Sequence, residues 1–149
     1  MLEKVITYTD YNDTERTETF FFNLSKKELA DLEYSHSGGL TEWVKRAVEK
    51  QDAKYLMDTF TEIIHLSYGI KSPDGKTFLK TEEAYQEFKG TNAYDELFLE
   101  IVTSAEAASK FIVGCMPKDM QADANKKAKE LMDAEAKKNE GNIKAIEKE

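Results

Sequence analysis

The residues best suited to nucleophilic chemistry at neutral pH are two histidines, His36 and His65, and one cysteine, Cys115. A Cys-His pair needs a thiolate within hydrogen-bond reach of an imidazole. Here that would require the fold to bring together groups far apart in the chain. Cys115 lies between Gly114 and Met116 at the end of an apolar stretch, the setting of a small buried hydrophobe. His65 follows Ile64 on an apolar helical stripe and reads as a structural histidine, while His36 precedes two glycines and reads as exposed. Metal chemistry finds no CxxC, HxH or HExxH spacing. Asp10-Tyr11-Asn12-Asp13-Thr14-Glu15 begins like a calcium loop, but it has Glu15 where the loop needs glycine and Phe21 where it needs the final glutamate. Gly38-Gly39 lacks the downstream Gly-Lys-Ser/Thr of a phosphate loop. These residues predict no catalytic set, no metal and no cofactor, so the chain reads as a binding protein and not as an enzyme.

The elements that would position a binding surface follow from composition and periodicity. A chain of 149 residues is the size of one domain. No apolar run approaches the ~18 residues needed to cross a bilayer, and the N-terminus lacks the basic and apolar segments of a secretory signal. With a lone cysteine, this predicts a cytoplasmic protein with no membrane partner. The formal charge is -8, and residues 118–149 hold equal numbers of acidic and basic side chains, so the excess lies wholly in residues 1–117. Such a surface repels phosphate backbones and excludes nucleic acid as a natural partner. All eight Phe, all seven Tyr and the single Trp also lie before residue 112. The predicted division is therefore a folded domain over 1–117 and a charged extension over 118–149, helical over about 119–138 and fraying near Gly141-Asn142.

The fold class expected is α+β and mostly helical: an N-terminal β-hairpin, a compact bundle of about five or six helices, and the polar tail. Val5–Thr9 and Thr17–Phe22 are rich in β-formers and flank a turn at Asp10–Asp13. Phe20 and Phe22 share one face of the second strand and Phe21 takes the other. Ser25-Lys26-Lys27-Glu28 is a capping box opening a helix that should stop before Gly38-Gly39. Leu40, Trp43, Val44, Ala47 and Val48, then Ala53, Leu56, Met57, Phe60, Ile63 and Ile64, have helical spacing and predict two amphipathic helices joined near Gln51-Asp52. Ser72-Pro73-Asp74-Gly75 is a turn within a short β excursion. Thr81-Glu82-Glu83 starts another helix, Tyr94, Leu97, Phe98, Ile101 and Val102 form a further stripe, and Thr103-Ser104-Ala105-Glu106 reads as a second capping box before the last core helix.

The order of segments adds a resemblance. Phe22-Asn23-Leu24-Ser25-Lys26-Lys27-Glu28-Leu29, Gly38–Val44, Leu66-Ser67-Tyr68-Gly69 leading to Ser72-Pro73-Asp74-Gly75, Tyr94-Asp95-Glu96-Leu97-Phe98, and Ala105–Pro117 with its Phe-Ile-x-Gly-x-x-Pro ending together resemble the tail assembly chaperones of long-tailed bacteriophages and prophages of Gram-positive bacteria. The resemblance covers about residues 1–120; Cys115-Met116 stand where aliphatic residues are expected. It implies a chaperone that binds the tape measure protein, keeps it soluble and promotes tail tube polymerisation around it. It would act in the host cytoplasm and leave before the virion is complete. Implied partners are the tape measure protein, the tail tube protein, a longer frameshifted form of the chain itself, and further copies in a homo-oligomer. Lys126-Lys127 or Lys137-Lys138 would mark the frameshift. The contact residues expected from the aromatic surplus and the apolar stripes are Phe21, Trp43, Tyr94, Phe98 and Met116. The competing readings are a structural tail component, such as a tube or connector subunit, and a host-directed inhibitor.

Overall fold

A computed structural model describes residues 1–130 and Asp133. The chain runs β1 (Leu2–Thr9), β2 (Glu15–Phe22), α1 (Lys26–Ser35), α2 (Gly39–Glu49), α3 (Ala53–Ser67), β3 (Tyr68–Lys71), β4 (Phe78–Leu79), α4 (Glu82–Lys89), α5 (Asn92–Thr103) and α6 (Ala105–Cys115). Residues 118–130 form a further helix, α7. The α+β, mostly helical class is as the sequence indicates, but the hairpin is part of a larger sheet. All four strands pair antiparallel in the order β1-β2-β3-β4.

The hairpin register runs from Leu2 opposite Phe22 to Thr9 opposite Glu15. Its turn is held by Asp10, whose carboxylate accepts from the Asn12 and Thr14 amides and, at 2.6 Å, from Arg16 Nε. The carboxylate that suggested calcium is therefore satisfied by the turn itself. Ile6, Tyr8 and Phe22 point into the core and Val5 points out, the alternation a half-buried sheet requires. β3 docks on β2 by pairing Phe21 with Gly69 and Phe22 with Tyr68. Position 69 must be glycine: a Cβ there would lie 2.5 Å from the Phe78 ring and 2.8 Å from the Leu79 carbonyl.

Helix starts follow side-chain capping. Ser25 and Glu28 form the reciprocal capping box, Asp52 caps α3 and Thr81 caps α4. At α6 the expected box is displaced by one residue. Ser104, not Thr103, is the N-cap, and its hydroxyl accepts from the Ala107 amide. Its third helical residue is thus Ala107, which cannot return the bond, and Glu106 is left to pair with Lys110. On α3, Met57 and Ala53 are exposed, in contrast to the expected stripe; the buried face is Thr59, Phe60, Ile63, Ile64 and Ser67. His36 is half-buried, not exposed, and its ring stacks on Trp43 at 3.7 Å.

The core centres on Phe22, which is fully buried and meets Phe111, Phe88 and Tyr68 with ring centroids 5.1 to 5.8 Å away. α5 crosses this layer, packing on β1, α3, α4 and α6. The core does not stop at Pro117: Ala124 of α7 is buried within it and Ala128 packs against it. The expected helix beyond residue 133, the fraying at Gly141-Asn142 and the pair Lys137-Lys138 lie outside the described residues.

Four surface carboxylates, on Asp10, Asp74, Glu82 and Asp119, are held below their ordinary values, each chiefly by the hydrogen bonds it accepts: from Arg16, the Lys76 amide, Gln86 and Lys26 respectively. A lowered folded-state pKa contributes stability that is present above the unfolded value and lost as pH falls through the folded one. The folded state should therefore hold its melting temperature from neutrality down to about pH 5 and lose stability only below ~pH 4. A melting curve series in buffers of equal ionic strength checks this.

Candidate functional site

One apolar concavity is a groove whose walls come from four core helices and whose remaining side is α7. Val44 and Val48 project from α2, Leu56 and Phe60 from α3, Ile101 and Val102 from α5, and Ala105, Ala108, Ile112 and Val113 from α6, with Met116 just beyond. The pairs on α2 and α3 are one turn apart and Ala105, Ala108 and Ile112 of α6 recur at intervals of three and four, so these three helices each offer a continuous apolar ridge, which Ile101 and Val102 of α5 adjoin. α7 contributes Ala124, Ala128 and, among the few polar groups, Lys127. The space left between these walls is about 220 Å³. This is a surface that binds apolar side chains without presenting chemistry to them.

A second concavity, about 310 Å³, lies between β1, α5 and α6, where Leu2, Leu97, Ile101 and Phe111 are joined by four charged side chains. Lys4 pairs with Glu100 at 2.8 Å and Lys110 with Glu106 at 3.0 Å, so its charges already have partners.

The five residues expected to meet a partner do not form one surface. Trp43 and Tyr94 are core residues, 3% and 8% exposed, and burial removes them from any contact surface in this conformation. Phe98 is half-buried and stacks on Tyr94. Phe21 is half-buried on the opposite face of β2 from Phe22, with Lys71 Nζ 5.2 Å from its ring centre. Met116, also buried, is the one of the five that lines the groove. The rest of the groove, Val44, Val48, Leu56, Phe60, Val102 and Ile112, was visible in the sequence only as core periodicity.

The groups with reactive chemistry are each engaged structurally. His65 Nε2 lies 2.7 Å from Glu82 Oε2, and its ring stacks on Tyr85 at 3.8 Å. Burial pushes the Cys115 thiol up to about 12, against a smaller opposing effect of its hydrogen bond with Ser67. It is therefore a neutral thiol at pH 7 and a poor nucleophile. In the folded chain Cys115 should react with an aromatic disulfide reagent at pH 8 at least ~100-fold more slowly than in urea-unfolded chain. Equal rates would place the thiol at the surface. Among the described residues no group of three or more His, Cys, Asp or Glu side chains could hold a metal ion. Among the same residues no helix is long and apolar enough to cross a membrane.

Fold and groove together define an α+β protein with an apolar, helix-walled groove on its surface. A family model described as phage tail assembly chaperone matches residues 1–149, and the chain belongs to that family. The family's role is that of a chaperone, which implies function without catalysis. Comparison with curated proteins and with solved structures gave no match.

Proposed function

We propose that this chaperone binds amphipathic helices of the tape measure protein in the groove between α2, α3, α5 and α6. By covering their apolar stripes it keeps that chain soluble until tail tube subunits polymerise around it. The observation that supports this reading is the groove itself, with apolar side chains from four helices and about 220 Å³ still unfilled. Helix-in-groove recognition needs such a surface, with anchors spaced at three, four and seven residues on the partner. The acidic body, carrying the whole excess charge of -8 outside residues 118–149, would keep the complex dispersed. The resemblance of the Ser-Tyr-Gly to Ser-Pro-Asp-Gly stretch and of the Phe-Ile-x-Gly-x-x-Pro ending favours a long-tailed phage or prophage of a Gram-positive host, action in the host cytoplasm, and release before the virion is complete. A longer form arising at Lys126-Lys127 or Lys137-Lys138, contact with tail tube protein and assembly into a homo-oligomer belong to the same proposal.

Co-expression tests it. A tape measure fragment that is insoluble alone should become soluble and co-purify with this chain, and the complex should persist in 1 M salt because apolar contacts are not screened. Val48→Glu, at a half-buried groove position, should abolish capture while leaving the circular dichroism spectrum unchanged. A fragment equally soluble without the chaperone would refute the reading. Retention of the chain in purified particles would favour a structural tail component instead.

A further inference from the structure

We propose that α7 is a built-in placeholder for the partner: it occupies the groove in the free chaperone and is displaced when an amphipathic helix from another chain binds. This rests on the groove being the binding surface proposed above. Within 118–130, Gln121, Ala124 and Ala128 are the residues not exposed, and they follow one another at helical spacing. The groove is thus already shaped for a helix, and it already holds one.

It holds that helix weakly. The two groups α7 inserts are methyls one turn apart, set against the larger isopropyl, isobutyl, sec-butyl and benzyl side chains of Val44, Val102, Leu56, Ile112 and Phe60, and about 220 Å³ between these walls stays open. A well-packed core leaves few voids larger than a water molecule, because each unfilled contact forfeits dispersion energy. An incoming helix with leucine-sized residues at the same two positions would bury more apolar surface in the same seat and bind it more tightly. α7 is also tied at its start alone by specific polar contacts among the described residues: Gln121 Nε2 donates to the Met116 carbonyl at 3.0 Å, and Lys26 pairs with Asp119 at 2.7 Å. It could therefore swing out while staying attached.

The occupant follows from what α7 presents. It is an amphipathic helix with large aliphatic residues at i and i+4 and lysine beside them, since α7 seats Ala124 and Ala128 at that spacing with Lys127 at the edge of the groove. A placeholder of this kind would shield the groove from self-association and set a threshold that only a better-filling helix passes.

The test uses the full chain and a fluorescent synthetic helix of about 20 residues with leucines at i and i+4 and lysine flanks. Ala124→Asp with Ala128→Asp evicts α7 by placing carboxylates against the apolar walls. Ala122→Asp with Asn125→Asp, both exposed, adds the same charge without touching the seat. Ala128→Leu fills the void and strengthens the seat. The evicting pair should bind the peptide at least about tenfold more tightly than the native chain, because apparent affinity scales with the fraction of open groove. The exposed pair should match the native chain, and Ala128→Leu should bind more weakly. Equal or weaker binding by the evicting pair, folded by circular dichroism, would overturn the proposal. If that pair is unfolded, Ala128→Leu decides alone, and unchanged binding overturns it. The same series with tape measure fragments separates the two proposals. If the peptide follows the expected order and no fragment binds any variant, the partner is wrong and the placeholder stands. If fragments bind every variant equally, the placeholder fails and the chaperone reading stands.

Discussion

Replacing Phe22 with alanine should cost about 3–5 kcal/mol of stability and lower the melting temperature by on the order of 10 °C or more. The ring is fully buried and sits at the junction of three aromatic partners, Tyr68, Phe88 and Phe111, drawn from β3, from α4 and from α6. Removing it loses the transfer energy of a benzyl group and leaves a cavity that three large rigid rings cannot collapse to fill. Its neighbour supplies the control. Phe21 lies on the other face of the same strand, half-buried, with Lys71 above it, so Phe21→Ala should cost no more than ~1 kcal/mol. Urea midpoints of the two variants, measured side by side, decide the matter. Equal losses would mean that the face assignment of β2 is wrong.

That contrast was legible in the sequence, because strand alternation alone separates residues 20 and 22 from 21. So were the starts of α1, α3 and α4, where one side chain and one amide three residues on make the whole signal. The signal fails where two candidates stand together. Thr103 and Ser104 can each cap a helix, and the capping-box pattern favoured Thr103 through Glu106, yet the chain caps with Ser104. Long-range pairing was not legible either. Nothing local in Tyr68-Gly69 specifies that it adds to β2, and Gly69 is explained only by the Phe78 ring lying over it.

The groove was hidden for a different reason. Val44, Val48, Phe60, Ile112 and their neighbours obey the same periodicity as residues that are simply buried, and a sequence does not record that four apolar faces fall short of meeting. α7 was hidden by its composition: two alanines among lysines and acids carry almost no hydrophobic signal, although Ala124 belongs to the core. Aromatic count pointed instead to Trp43 and Tyr94, whose size is what draws them inside.

Lys80 follows β4, and the structure makes it a joint. Its ammonium donates to the Asn23 carbonyl at 2.5 Å, to the Leu66 carbonyl at 2.7 Å and to the Glu28 carboxylate at 2.6 Å. An ammonium has three protons to give, and all three are placed. Leu66 lies in the last turn of α3, where carbonyls lack helical partners, and Asn23 lies in the link from β2 to α1. Glu28 is meanwhile tied to the Ser25 amide by its own capping bond at 2.9 Å. One side chain thus fixes the end of α3, the start of α1 and the approach to α4 to each other. Lys80→Met keeps the stem and removes the charge, leaving the Glu28 carboxylate and two carbonyls with a missing donor. The expected cost is about 2–3 kcal/mol, below the ~3–5 of a fully buried pair because part of each side chain still reaches water. Glu28→Gln retains an acceptor for Ser25, so its own cost should be smaller, and a double-mutant cycle should show the two substitutions coupled by at least ~1 kcal/mol. Strict additivity would mean that Lys80 and Glu28 do not act as a pair in solution, and a cost under ~0.5 kcal/mol for Lys80→Met would reduce the joint to an ordinary surface contact.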